Sequence, residues 1–147
     1  MRPDATALVG SRPVEPPAPL PPSPFDELVG TRWVSDDPES ARVRLVVRDD
    51  LRQPTGLVHG GVLSTLVESL CSRATTLAVI DEGNAAMGQQ ISMSFLRPVT
   101  EGEIEVSARA RHRGRSTWVW DAEVRDSDGR LCALGRMTTA VRPRPGG

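Results

Sequence analysis

The chain has 147 residues, 38% apolar and 25% charged, with a net charge of −1 at pH 7. That length fits one domain whose core needs no metal or disulfide staple, and the charge balance argues against extended binding to nucleic acid or to an anionic membrane. All 18 basic residues are arginine, so phosphate recognition, where it occurs, is local. Residues 1–24 are crowded with proline, at Pro13, Pro16, Pro17, Pro19, Pro21, Pro22 and Pro24. Proline removes amide donors and opposes helix, so this stretch is expected to be a disordered or polyproline-like tail. The ordered domain is expected over 25–142, with 143–147 a flexible end.

Phe25 to Val29 is expected to form a short helical turn stopped by Gly30, and Thr31 to Ser35 a strand, followed by a turn at Asp36, Asp37 and Pro38. From Ser40 to Arg48, Val43, Leu45 and Val47 alternate with Arg42, Arg44, Val46 and Arg48, the pattern of a half-buried strand with arginines on its wet face. A loop from Asp49 to His59 leads to one long helix over Gly60 to Val79, in which Val62, Leu63, Leu66, Val67, Leu70, Cys71, Ala74 and Leu77 recur at helical spacing. Strands follow at Met87–Phe95, Glu103–His112, Ser116–Asp126 and Leu131–Val141, the last three as consecutive hairpins separated by Arg113-Gly114 and Ser127-Asp128-Gly129. One helix followed by a run of strands is not a βαβ pattern. The expected class is α+β, a curved antiparallel sheet packed on one helix, with Trp118, Trp120, Ala122 and Val124 on its bulky face.

Cys71 and Cys132 each fall in an apolar stretch, where a free thiol behaves as a small hydrophobe, so a reduced intracellular protein is expected. No charged segment leads into an apolar one at the start of the chain, and no apolar run approaches the roughly 18 residues of a membrane span, so the expected location is the cytoplasm.

Chemistry concentrates on the helix and its first turn. Ser64, Glu68 and Ser72 recur at every fourth position, a polar stripe on an otherwise apolar element. A solvent face normally carries several charges; a single carboxylate among small hydroxyls points instead to a lined cleft in which it can act as a base. At the start of the helix, two glycines succeed His59. The first backbone amides of a helix have no internal acceptor, and small residues there let a carbonyl oxygen approach the positive end of the dipole. Two histidines and two distant cysteines support neither a zinc site nor a Cys-His nucleophile, and Ser64 lacks the Gly-x-Ser-x-Gly setting of a serine hydrolase, so no cofactor or metal is expected.

The run Gln53-Pro54-Thr55-Gly56-Leu57-Val58-His59-Gly60-Gly61, with Glu68 nine residues after His59, resembles the hotdog-fold acyl-CoA thioesterases of the phenylacetate-pathway type. The branch includes the 4-hydroxybenzoyl-CoA and 1,4-dihydroxy-2-naphthoyl-CoA thioesterases with a helical carboxylate. The likeness extends from about Phe25 to Val141. It implies a curved sheet wrapped around a central helix, hydrolysis of an acyl-CoA thioester, Glu68 as nucleophile or general base, and the Gly60 amide on the thioester oxygen. It further implies that Gln53 and His59 orient substrate or water, that Ser72 holds the carboxylate or the attacking water, and that the protein assembles as a homodimer or homotetramer. Gly60 and Glu68 are eight helical steps apart, about 12 Å at 1.5 Å per residue, too far for one carbonyl to touch both. The expected site therefore pairs Gly60 of one subunit with Glu68 of another, the arrangement known in the family.

For CoA, guanidinium groups and exposed turn amides suit nucleotide phosphates, which makes Arg113, Gly114, Arg115 and Ser116 at a hairpin, with Arg136 and Arg142 on the last strand, the candidates. Two other readings stand beside hydrolysis: a hotdog hydratase or dehydratase acting on a thioester, and a non-catalytic acyl-CoA binding module.

Overall fold

The computed structural model describes residues 20–144; residues 1–19 of the tail expected over 1–24, and residues 145–147, lie outside them. Order begins before Phe25. Helix α1 spans Pro24–Val29, with Ser23 as N-cap and Gly30 at φ +90° closing it. Ser23 Oγ accepts from the Asp26 amide at 3.0 Å and donates to Asp26 Oδ2 at 2.7 Å, a reciprocal cap. Pro24 belongs to the helix and not to the tail because at its first position the missing N–H would have had no acceptor.

Six strands follow the expected sequence with small boundary shifts: β1 Arg32–Ser35, β2 Ala41–Val46, β3 Asn84–Phe95, β4 Glu103–Arg113, β5 Thr117–Arg125 and β6 Leu131–Pro143. The long helix, α2, covers Gly60–Val79. The sheet is antiparallel in the order β1-β2-β4-β5-β6-β3. Strands β4, β5 and β6 are the expected consecutive hairpins. Strand β3 instead crosses to the far edge, because α2 carries the chain over the whole concave face between β2 and β3.

The core lies between α2 and that face. Val43 and Leu45 from β2, Ile104 and Val106 from β4, and Trp120 and Val124 from β5 are fully buried against Leu66, Val67, Leu70 and Ala74 of α2. Each large side chain so buried contributes about 1.5–3 kcal/mol. One polar knot sits inside it: Thr75 Oγ1 donates to Cys71 O (2.7 Å) and accepts from Trp120 Nε1 (3.0 Å), with Thr139 Oγ1 at 3.2 Å. With its own proton on Cys71 O, Thr75 leaves Thr139 as the donor across that contact. By length and composition the stretch Gly60–Glu82 could cross a bilayer, contrary to the reading from sequence alone. Its apolarity is accounted for by the sheet that wraps it.

Strand β3 is different. It is the outer edge, and its side chains are largely uncovered: Met87 is 53% exposed, Ile91 36% and Phe95 56%, with Leu96 just beyond at 56%.

Candidate active site

The first turn of α2 is built by three adjacent residues. His59 is the N-cap, with extended backbone (φ −63°, ψ 129°) and Nδ1 accepting from the Gly61 amide at 2.9 Å. An accepting Nδ1 places the neutral ring's proton on Nε2, leaving a donor on an exposed side chain. A Cβ on Gly61 would lie 2.9 Å from that Nδ1, and a Cβ on Gly60 would lie 3.0 Å from Phe95 Cζ. The two glycines thus make room for the His59 ring on one side and the Phe95 ring on the other. The Gly60 amide donates to no acceptor among the described residues, as expected for the first N–H of a helix.

Gly60 and Gln53 share a cleft of about 470 Å³ with Leu57, Leu63, Phe95 and Arg97. Gln53 Nε2 donates to Thr55 Oγ1 at 2.8 Å, and its backbone N–H to Leu57 O at 2.8 Å, which holds the loop folded beside the helix start. Arg97, not singled out from sequence, projects from the loop after β3 and makes no ion pair among the described residues.

Glu68 lines a different cleft, of about 350 Å³, with Ser72, Ser69, Thr65, Arg73 and Phe25. The two clefts share no residue. The structure therefore does not bring Gly60 and Glu68 together on one cleft, in keeping with the separation worked out from helical rise. Glu68 lines a cleft as expected, but in the single chain its side chain is exposed. Its carboxylate lies over β3, since a Cβ on Gly88 would fall 2.8 Å from Glu68 Oε1 and 2.8 Å from Met137 Cε. Gly88 is a site residue that the sequence reading missed; a glycine in the interior of a strand was the available signal.

The polar stripe needs correction. Ser64 Oγ donates back to Gly60 O at 3.2 Å and lies off the Glu68 cleft, which Thr65 and Ser69 line instead. Ser72 is on that cleft, but its Oγ is buried without a hydrogen-bond partner and makes no bond to Glu68.

The hairpin and β6 residues considered for CoA touch neither cleft. Arg113 pairs with Glu39 and stacks 5.5 Å from the centre of the Trp118 ring. The Gly114 amide closes the turn on Thr117 O, and Ser116 O accepts from Val141 N and from Arg142 Nη1 at 3.1 Å. Arg136 pairs with Asp121 at 2.8 Å on the outer face of the sheet. Arg115 alone of these arginines makes neither an ion pair nor a side-chain hydrogen bond among the described residues; Arg142 makes no ion pair but donates to Ser116 O and Val141 O.

A helix-terminal amide without an internal acceptor and a lone carboxylate are groups of the kind that acyl transfer uses as oxyanion donor and as nucleophile or base. The profile of the thioesterase superfamily matches residues 55–133. PA1618 of Pseudomonas aeruginosa is 37% identical over 120 residues, 82% of this chain and 83% of that protein. The structure of thioesterase PA1618, crystallised as a glutamine-to-alanine variant, superposes with a TM-score of 0.78 at 35% identity over 82% of this chain and 86% of that one. Rv1847 of Mycobacterium tuberculosis, described as a candidate esterase, gives a TM-score of 0.79 at 33% identity over 84% of this chain and all of that one. The proofreading thioesterase EntH of Klebsiella pneumoniae is 38% identical over 89 residues, 60% of this chain and 64% of that protein. The chain belongs to the thioesterase superfamily, as a hotdog-fold hydrolase of thioesters.

Proposed function

We propose that the thioester is an acyl-CoA, cleaved to a free acid and CoA at a site shared between two copies of the chain. Gly60 supplies the amide that binds the thioester oxygen, and Glu68 of the other copy is the nucleophile or general base. The reading rests on how β3 touches both half-sites. Near its end, the Phe95 ring packs on Gly60; near its middle, Gly88 lies under the Glu68 carboxylate. An edge strand with exposed apolar side chains is a template for pairing. Antiparallel pairing of β3 with its own copy, Phe95 opposite Gly88, would set the partner's Gly60 beside Glu68 and cover Ile91 and Met87.

In this site the carbonyl oxygen gains charge against the Gly60 N–H and the positive end of α2. Glu68 then either attacks the carbonyl carbon, giving a mixed anhydride that water opens, or takes a proton from the attacking water. In both routes the C–S bond breaks and CoA leaves as the thiol. Gln53 and His59 Nε2, both beside the amide, orient the substrate or the water. Arg97 flanks the Gly60 cleft as an additional cation for the CoA phosphates, and Arg115 is the remaining free candidate at the hairpin.

Thiol release from acyl-CoAs tests the activity and separates it from hydration of an enoyl thioester and from binding without turnover. Glu68→Ala is expected to abolish release with the fold intact. Mixing Gly60→Pro with Glu68→Ala chains tests the shared site: each homodimer lacks one half at both sites, whereas a mixed dimer regains one complete site. Recovery of about half the parent activity per verified mixed dimer is expected. No recovery would show that the halves do not work across subunits.

A further inference from the structure

The cleft beside Glu68 has a wall that the superfamily profile does not cover, because the matched residues begin at 55. One side of the cleft is α2 itself, through Thr65, Ser69 and Ser72; the facing side is Leu20, Pro21 and Phe25. These come from the segment ahead of β1, and that segment is fastened. Arg73 Nη1 donates to Pro21 O at 3.5 Å while its Nε is held by Asp36 Oδ1 at 3.2 Å and its guanidinium lies 4.8 Å from the centre of the Trp33 ring. Pro21, Pro22 and Pro24 fix φ along the same stretch, and the Ser23–Asp26 cap sets the turn into α1. The wall is therefore stiff, and holding it against the helix costs little further chain entropy.

We infer that Leu20, Pro21 and Phe25 form the outer wall of the acyl subsite and set the largest acyl group this thioesterase accepts; the inference rests on Glu68 acting at an acyl-CoA carbonyl. A carboxylate that meets the thioester carbon has the sulfur leaving on one side and the acyl chain on another. The recess adjoining Glu68 among the described residues is this cleft. Its volume is about 350 Å³. At about 30 Å³ for each water-sized group, it holds on the order of ten non-hydrogen atoms. An octanoyl or small aryl group fits that space, and a palmitoyl group does not unless the wall gives way. The lining is mixed: Leu20, Pro21 and Phe25 give the strap an apolar part beside Ser23 and Asp26, and the helix faces it with hydroxyls and Arg73.

Two full-length variants shift the limit in opposite directions without entering the core, since Phe25 is more than half exposed and Leu20 is only partly buried. The double variant Leu20→Ala/Phe25→Ala widens the cleft, and Leu20→Trp narrows it. Steady-state thiol release is measured with butyryl-, octanoyl- and palmitoyl-CoA, and circular dichroism establishes the fold of each variant. The expected result is a rise of at least tenfold in the palmitoyl-to-octanoyl ratio of kcat/KM for the double variant, and a fall of similar size in the octanoyl-to-butyryl ratio for Leu20→Trp. Ratios unchanged from the parent in folded variants would overturn the inference while leaving acyl-CoA hydrolysis standing. A parent chain that releases no thiol from any acyl-CoA would instead remove the acyl-CoA reading, and the subsite with it.

Discussion

Replacing Gly60 by proline removes one atom group of the site with little other change. Gly60 is the first residue of α2, where proline is favoured because the N–H it lacks would have no helical acceptor. The preceding residue, His59, already has ψ 129°, the extended backbone that a following proline requires. The Gly60 amide bonds nothing among the described residues, so no internal hydrogen bond is lost. An added Cβ would lie 3.0 Å from the Phe95 ring, a side chain that is 56% exposed and free to turn aside. Gly60→Ala makes the same demand while keeping the N–H, and so isolates the donor. Loss of a single oxyanion donor costs about 10²–10³ in kcat, or about 2.7–4 kcal/mol of transition-state stabilisation. Thiol-release kinetics and thermal unfolding of the three proteins are the assay. The expectation is a kcat for Gly60→Pro at least about a hundredfold below that of Gly60→Ala, with midpoints within a few degrees. Equal turnover by the proline and alanine variants, both near the parent, would refute the role given to this amide.

Gly88→Ala is expected to lower kcat by about ten- to a hundredfold, since its Cβ would displace the carboxylate of Glu68 and an ångström of misplacement costs about that much; unchanged kcat would show that this contact does not position the carboxylate. Thr75→Val strands the Trp120 indole N–H and the Thr139 hydroxyl in the core. A loss of about 1–3 kcal/mol in urea unfolding is expected, smaller for Thr75→Ser, which keeps a hydroxyl. Burial pushes the Cys71 thiol well above its usual range, so less thiolate is present at any given pH. At pH 8 iodoacetamide is expected to modify Cys71 in urea but not in the native protein. Rapid native labelling would show that the helix does not seal this thiol.

The shape of the local elements was legible because it depends on near neighbours. The spacing of Leu63, Leu66, Val67, Leu70 and Ala74 marks α2 to its boundaries, and the alternation through Val43 and Leu45 marks the buried face of β2. Pro24 was misjudged because its effect depends on whether the position is inside a helix or at its start, and Ser23 decides that through a hydrogen bond. The stripe of Ser64, Glu68 and Ser72 shares one helical face by count, yet Ser64 spends its hydroxyl on Gly60 O while Thr65 and Ser69 join Glu68. Periodicity locates a face to within about a residue; the cleft wall from α1 and the segment before it decides which side chains line it. The arginines at the hairpin and on β6 could not be separated by sequence either, because Glu39 and Asp121, which occupy Arg113 and Arg136, lie far from them along the chain.

By itself, the sequence determined an α+β chain with one apolar helix, a first turn open to an acceptor, and a carboxylate eight residues beyond it, since each follows from spacing and from the chemistry of single residues. Only the tertiary structure decided that β3 crosses to the sheet edge, that Gly60 and Glu68 open on separate clefts with β3 touching both, and that the proline-rich segment walls the second. These depend on which surfaces meet after α2 has crossed the sheet, and that is settled by packing between residues distant in sequence.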